Sequence, residues 1–96
     1  MVTFEQARER AEALRRDWQG PGLFYVAPWG YDLGDDWLVL VGAHEGIMGG
    51  QIEYVPLDDQ QTLVDKRTGI LRHESALGRL DDELVPVGDW SQAPTD

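Results

Sequence analysis

The run Leu23-Phe24-Tyr25-Val26-Ala27, then Leu33-Gly34-Asp35-Asp36, then Trp37-Leu38-Val39-Leu40-Val41 decides the fold class. Its first part is rich in aromatic and branched residues and reads as a strand that continues through Trp29 and Tyr31. Its second part is turn chemistry. The third is nearly continuous in apolar residues, which predicts a strand central in a sheet and covered on both faces. Strand, acidic turn and strand predict an antiparallel hairpin.

Upstream the period changes. Phe4, Ala7, Ala11, Leu14 and Trp18 recur at spacings of three and four, so they share one face of a helix read as Thr3 to Gln19. Thr3 supplies the N-cap hydroxyl, Gln6 stands in the capping-box position, and Gly20-Pro21-Gly22 stops the helix. Downstream, Gly42 to Gly50 reads as a flexible glycine-rich loop and Gln51 to Val55 as a half-exposed strand. Thr62-Leu63-Val64-Asp65, Lys66-Arg67-Thr68-Gly69 and Ile70-Leu71-Arg72 describe a second hairpin, with Gly69 where a positive φ is cheap. Ser75 to Leu80 suits a short helix capped by Ser75. The expected architecture is therefore α+β: an N-terminal amphipathic helix packed on an antiparallel sheet of about four to five strands, with one short additional helix near 75–80. One domain spans residues 1–90, and residues 91–96 are expected to fray.

Eighteen Asp and Glu against eight Lys and Arg give the 96 residues a net charge of −10. That balance argues against binding nucleic-acid phosphate or anionic lipid. The absence of cysteine excludes disulfides and thiolate chemistry. No basic region leads into an apolar stretch at the start, and the longest apolar run, Trp37 to Val41, is far short of the ~20 residues of a membrane helix, so a cytoplasmic protein is expected. The charge is unevenly placed. Through Trp18, four acidic residues balance four basic ones; the excess lies wholly beyond it.

Catalytic signatures are missing. His44-Glu45 and His73-Glu74 lack metal-ligand spacing, and no nucleophile elbow, Walker lysine or calcium loop occurs. No catalytic, metal or cofactor residue is assigned. A small metal-dependent hydrolase would need His44 and His73 to converge with a carboxylate; two solvated surface histidines are the plainer alternative. What the composition offers instead is aromatic residues among acids. Trp29, Asp32, Asp35, Asp36, Glu45, Glu53, Tyr54, Asp58 and Asp59 form the candidate partner-binding set, with Trp29 and Tyr54 as anchors for a basic protein. The acids equally suit a solubilising surface, and Trp37 suits the core.

The opening Thr3-Phe4-Glu5-Gln6-Ala7, then Phe24-Tyr25-Val26, Asp36-Trp37-Leu38-Val39, Gly42-Ala43, the hairpin Leu63-Val64-Asp65-Lys66-Arg67-Thr68-Gly69 and Pro86-Val87-Gly88 carry a likeness over residues 3 to 88. In that order they resemble the small YrhB-like immunity domains (immunity protein 35 class) of bacterial polymorphic-toxin systems. Gly42 to Gly50 departs from that pattern. The resemblance implies one helix on an antiparallel sheet, no catalytic residues, and a cytoplasmic protein that binds and neutralises a toxin. The expectation is a non-enzymatic inhibitor of a cognate toxin with a basic active-site cleft. The rival is an acidic adaptor or nucleic-acid mimic that binds a basic host protein. An exposed sheet edge forming a homodimer is compatible with either.

Overall fold

A computed structural model describes residues 1–54, 60–75 and 85–94. An N-terminal helix, α1 (Phe4–Glu12), packs on a five-stranded antiparallel sheet of β1 (Phe24–Asp32), β2 (Asp36–Ala43), β3 (Gln60–Asp65), β4 (Leu71–Ser75) and β5 (Val85–Gly88), and a short second helix, α2 (His44–Ile47), follows β2. The strand order is β4-β3-β2-β1-β5, so β1 to β4 form a meander and β5 returns to the outer side of β1. The apolar strand read as central is the middle one.

Helix α1 starts where its chemistry requires. The Thr3 hydroxyl accepts from Gln6 N at 3.1 Å and the Gln6 side chain accepts from Thr3 N at 2.9 Å, which satisfies two end donors that the helix cannot. Beyond Glu12 the expected helix tightens into a 3₁₀ turn, Ala13–Asp17. That swing brings the Trp18 ring edge-on to Phe24, 5.6 Å away, and the Trp18 indole donates to the Gly22 carbonyl. The stop sequence thus folds back over the ring; a Cβ at Gly20 would press into it.

Phe4, Ala7 and Ala11 bury against Phe24, Val26, Val39 and Val64. Alternation along the strands puts Leu38 and Leu63 on the opposite face, 2% and 0% exposed, so the sheet buries apolar side chains on both sides. Each such side chain contributes about 1.5–3 kcal/mol. Gly30 lies beneath Phe4, where any Cβ would collide with the Leu38 carbonyl and the Phe4 ring.

The second hairpin forms as its residues dictate. The Asp65 carboxylate accepts from Arg67 N (2.8 Å) and Thr68 N (2.9 Å), and Gly69 turns the chain at φ +74°. These two backbone donors hold the Asp65 carboxyl below its ordinary pKa. Lys66, 8% exposed, folds inward with its ammonium 4.2 Å above the Trp37 ring and 2.6 Å from Asp32 Oδ1.

Two local expectations are corrected. Gly42 to Gly50 is not a plain loop: β2 runs through Ala43 and α2 follows at once. Gln51 to Tyr54 is not a strand, because Gln51 N donates to the Glu45 carbonyl and Tyr54 N to the Gln51 carbonyl, so the donors are spent locally in a 3₁₀ turn, Ile52–Tyr54. Ser75 ends β4 opposite Gln60, and the short helix expected from Ser75 to Leu80 falls on residues 76–80, outside the described residues, as does Val55.

Candidate functional site: an aromatic groove on the face away from the helix

Between Val26 and Gly30 the register of β1 slips against β2, from Val26↔Val41 to Gly30↔Val39. Four residue steps on β1 face two on β2 there, a bulge-like irregularity that interrupts the ladder. The Arg8 guanidinium, reaching from α1, donates to the Ala27 carbonyl at 2.8 Å and the Val26 carbonyl at 3.4 Å. On the other side, Asp89 N donates to the Pro28 carbonyl at 2.8 Å, so β5 locks against the same bulge. The irregularity places Trp29 and Tyr31 on the face away from α1.

There they meet Trp90. Its ring centroid lies 6.0 Å from that of Trp29 and 5.3 Å from that of Tyr31. The expected fraying tail begins with a capped 3₁₀ turn, Trp90–Gln92: the Asp89 carboxylate accepts from Ser91 N, Ser91 Oγ and Gln92 Nε2, contacts that also lower its pKa. Across the sheet, Ile47 of α2 and Tyr54 of the second 3₁₀ turn form the facing wall, with Leu40, Gln61 and Pro94 completing a groove of about 520 Å³. That size is ordinary for a ligand or peptide site (~300–1,000 Å³). None of the described lining residues carries an Asp, Glu, Lys, Arg or His side chain.

One feature of the floor stands out chemically. Trp29 lines the groove and is 3% exposed, yet its indole N–H donates to no protein acceptor and keeps contact with solvent. A sealed donor without an acceptor would cost about 1–3 kcal/mol. Contact with solvent avoids that penalty and leaves the donor accessible.

The seven candidate binding residues that the structure describes do not converge into one anionic patch. Trp29 is the buried floor rather than an exposed anchor, whereas Tyr54 is a half-buried wall. Asp32, Asp35 and Asp36 sit at the β1–β2 turn. The Lys66 ammonium hydrogen-bonds Asp32 and holds its carboxyl below the ordinary value, so that acid is already compensated. Asp36 is 3% exposed and held bidentately by Arg72 at 2.9 Å and 2.9 Å. Asp35 stays exposed at the turn. Glu45 and Glu53 lie at the opposite end of the strands, ~25 Å away at ~3.3 Å per residue. The Leu23 backbone N–H donates to the Glu45 carboxylate at 3.0 Å and lowers its pKa. Glu53 is exposed beside Tyr54. Asp58 and Asp59 lie outside the described residues. Among the described residues, Glu45 within α2 and Glu53 beside Tyr54 adjoin one wall of the groove in sequence, as Asp32 and Asp89 adjoin Tyr31 and Trp90.

The two histidines do not converge. His44 opens α2 against the Tyr25 ring (4.9 Å), whereas His73 sits on β4 with Nδ1 3.2 Å from Thr62 Oγ1, about two strands and five residues distant, or ~19 Å. Among the described residues no group of three His, Asp or Glu side chains could hold a metal ion. None of the described helices is long and apolar enough to cross a membrane.

Trp90, Ile47, Gln61 and Pro94 were not singled out by the sequence reading. A signal for Trp90 was present in Gly88-Asp89-Trp90-Ser91, a turn glycine followed by a capping aspartate. The chain matches no protein-family model, no curated protein and no solved structure.

Proposed function

We propose that this protein is a non-enzymatic immunity protein that binds a cognate bacterial toxin in the cytoplasm of the producing cell and blocks its active site. The observation that carries the reading is the aromatic groove, uncharged among its described lining residues and neighboured by Glu45 and Glu53 in a chain of net charge −10. Rings such as Trp90 and Tyr54 supply contact area that slows dissociation, and negative charge around them steers a basic partner inward. A toxin acting on nucleic acids or nucleotides needs a basic cleft for its anionic substrate, and such a cleft is complementary to this surface. The resemblance across residues 3 to 88 to immunity domains supports the same assignment.

The test is to titrate the full chain against the toxin encoded beside its gene, by calorimetry and by protection of cells expressing that toxin. A one-to-one complex is expected, with an association rate that falls steeply between about 50 and 500 mM salt. Absence of both complex and protection overturns the assignment. Equal affinity for unrelated basic proteins would point instead to a general acidic adaptor.

A further inference from the structure

We infer that the groove takes a proline-rich segment in polyproline II conformation with Lys or Arg flanking the prolines. This deepens, and rests on, the reading of the groove as the partner-facing surface; the segment would belong to the partner.

Three observations select that occupant. First, the floor presents a donor that needs an acceptor. The indole N–H of Trp29 is held on a residue 3% exposed and has no acceptor in the protein. An α-helix offers no suitable backbone carbonyl along its length, because each is spent internally. A polyproline II segment makes no internal hydrogen bonds, so its carbonyls are open to such a donor.

Second, the walls suit flat, rigid, weakly polar rings. Trp29, Tyr31 and Trp90 form one cluster with centroids 6.0 and 5.3 Å apart, and Tyr54 faces them. Pyrrolidine rings stack on such surfaces and lose little conformational freedom on binding. The chain's own Pro94 already lines one end of the groove, a pyrrolidine ring among the aromatics. A carbohydrate would also stack on indoles, but its hydroxyls call for several polar side chains. Beyond the Tyr31 and Tyr54 phenols, the described lining offers one side-chain amide, Gln61, and a Thr62 hydroxyl engaged by His73.

Third, charge chooses the flanks. The described lining carries no ionic group, which suits a neutral core; Glu53 is exposed beside Tyr54, and Glu45 in α2 stays anionic while accepting from Leu23 N. Basic residues on the flank that reaches the α2 and Tyr54 wall meet these acids.

The experiment titrates the full chain with a synthetic decapeptide of alternating proline blocks flanked by arginines. Tryptophan fluorescence and backbone amide shifts are the readouts. A charge-matched peptide with alanine for proline and a linear neutral oligosaccharide are the controls. Saturable binding is expected to weaken at least tenfold with alanine for proline and at least tenfold in Trp90→Ala, and the amides around Trp29 and Tyr54 should shift. Trp90 is 37% exposed on a terminal turn, and the proline-to-alanine contrast on the unaltered chain reads the same property without any variant. Equal binding of the two peptides, saturation by the oligosaccharide alone, or no saturation by about 1 mM peptide overturns the inference. If the toxin still forms its complex in any of these cases, the immunity assignment stands alone. If the proline peptide binds as expected while the toxin does not, this inference holds and the immunity assignment falls.

Discussion

Removing the ammonium of Lys66 tests whether Asp32 belongs to the fold or to a partner. The Nζ to Oδ1 distance is 2.6 Å, and the same ammonium lies 4.2 Å over Trp37. At an effective dielectric of about 20 the charge pair is worth ~6 kcal/mol before desolvation, which returns several kcal/mol for an ammonium this enclosed. The ring contact adds ~1–2 kcal/mol. Lys66→Met keeps the aliphatic packing and leaves Asp32, whose side chain is 29% exposed, to water, so a net loss of about 2–3 kcal/mol is expected. The assay is urea unfolding followed by tryptophan fluorescence on the parent, Lys66→Met, Asp32→Asn and the double variant. A coupling energy of about 2 kcal/mol is expected from the cycle. The pH dependence has a definite sign. Asp32 is lowered below 3.8 in the folded protein by the Lys66 hydrogen bond, so its contribution is full above that value and is lost as pH falls through the folded pKa. The gap between the parent and Lys66→Met should therefore narrow progressively below pH 3.8. A coupling below about 0.5 kcal/mol, or a gap constant with pH, would refute the structural role of Asp32.

Two further outcomes follow from particular contacts. Gly69→Ala should cost about 1–2 kcal/mol, since φ is +74° and the new Cβ would lie 2.6 Å from Arg10 Nε; adding Arg10→Ala should recover the steric part but not the backbone part in thermal melts. Arg8→Met should cost about 1–2 kcal/mol by leaving the Ala27 carbonyl at the bulge without its donor, and amide exchange should quicken in β1 and β5 more than in β3 and β4.

Legibility followed the range of the interactions. The capping box at Thr3, the β1–β2 turn and the Gly69 hairpin could be read because each is closed by residues within a few positions of one another. Gln51 to Tyr54 was misread because alternation of polar and apolar residues also fits a 3₁₀ turn, and only a distant sheet edge would have made it a strand. Glu45 looked like a surface acid, yet it binds the Leu23 N–H from 22 residues away. Trp90 reads only as the last residue of the domain, because nothing within its own stretch shows Trp29 and Tyr31 packing against it.

From the order of its residues alone, this chain settles that a neutral amphipathic helix precedes hairpins of strands, and that its negative charge belongs to the latter; periodicity and turn chemistry are local and survive any packing. Tertiary structure alone decided which acids remain available. Pairing with Lys66 and Arg72 depends on strands brought together across more than thirty residues, and it withdraws Asp32 and Asp36 from the surface charge. The groove is likewise a product of tertiary packing, because a bulge in β1, a returning β5 and a capped terminal turn must meet before the three rings share one face.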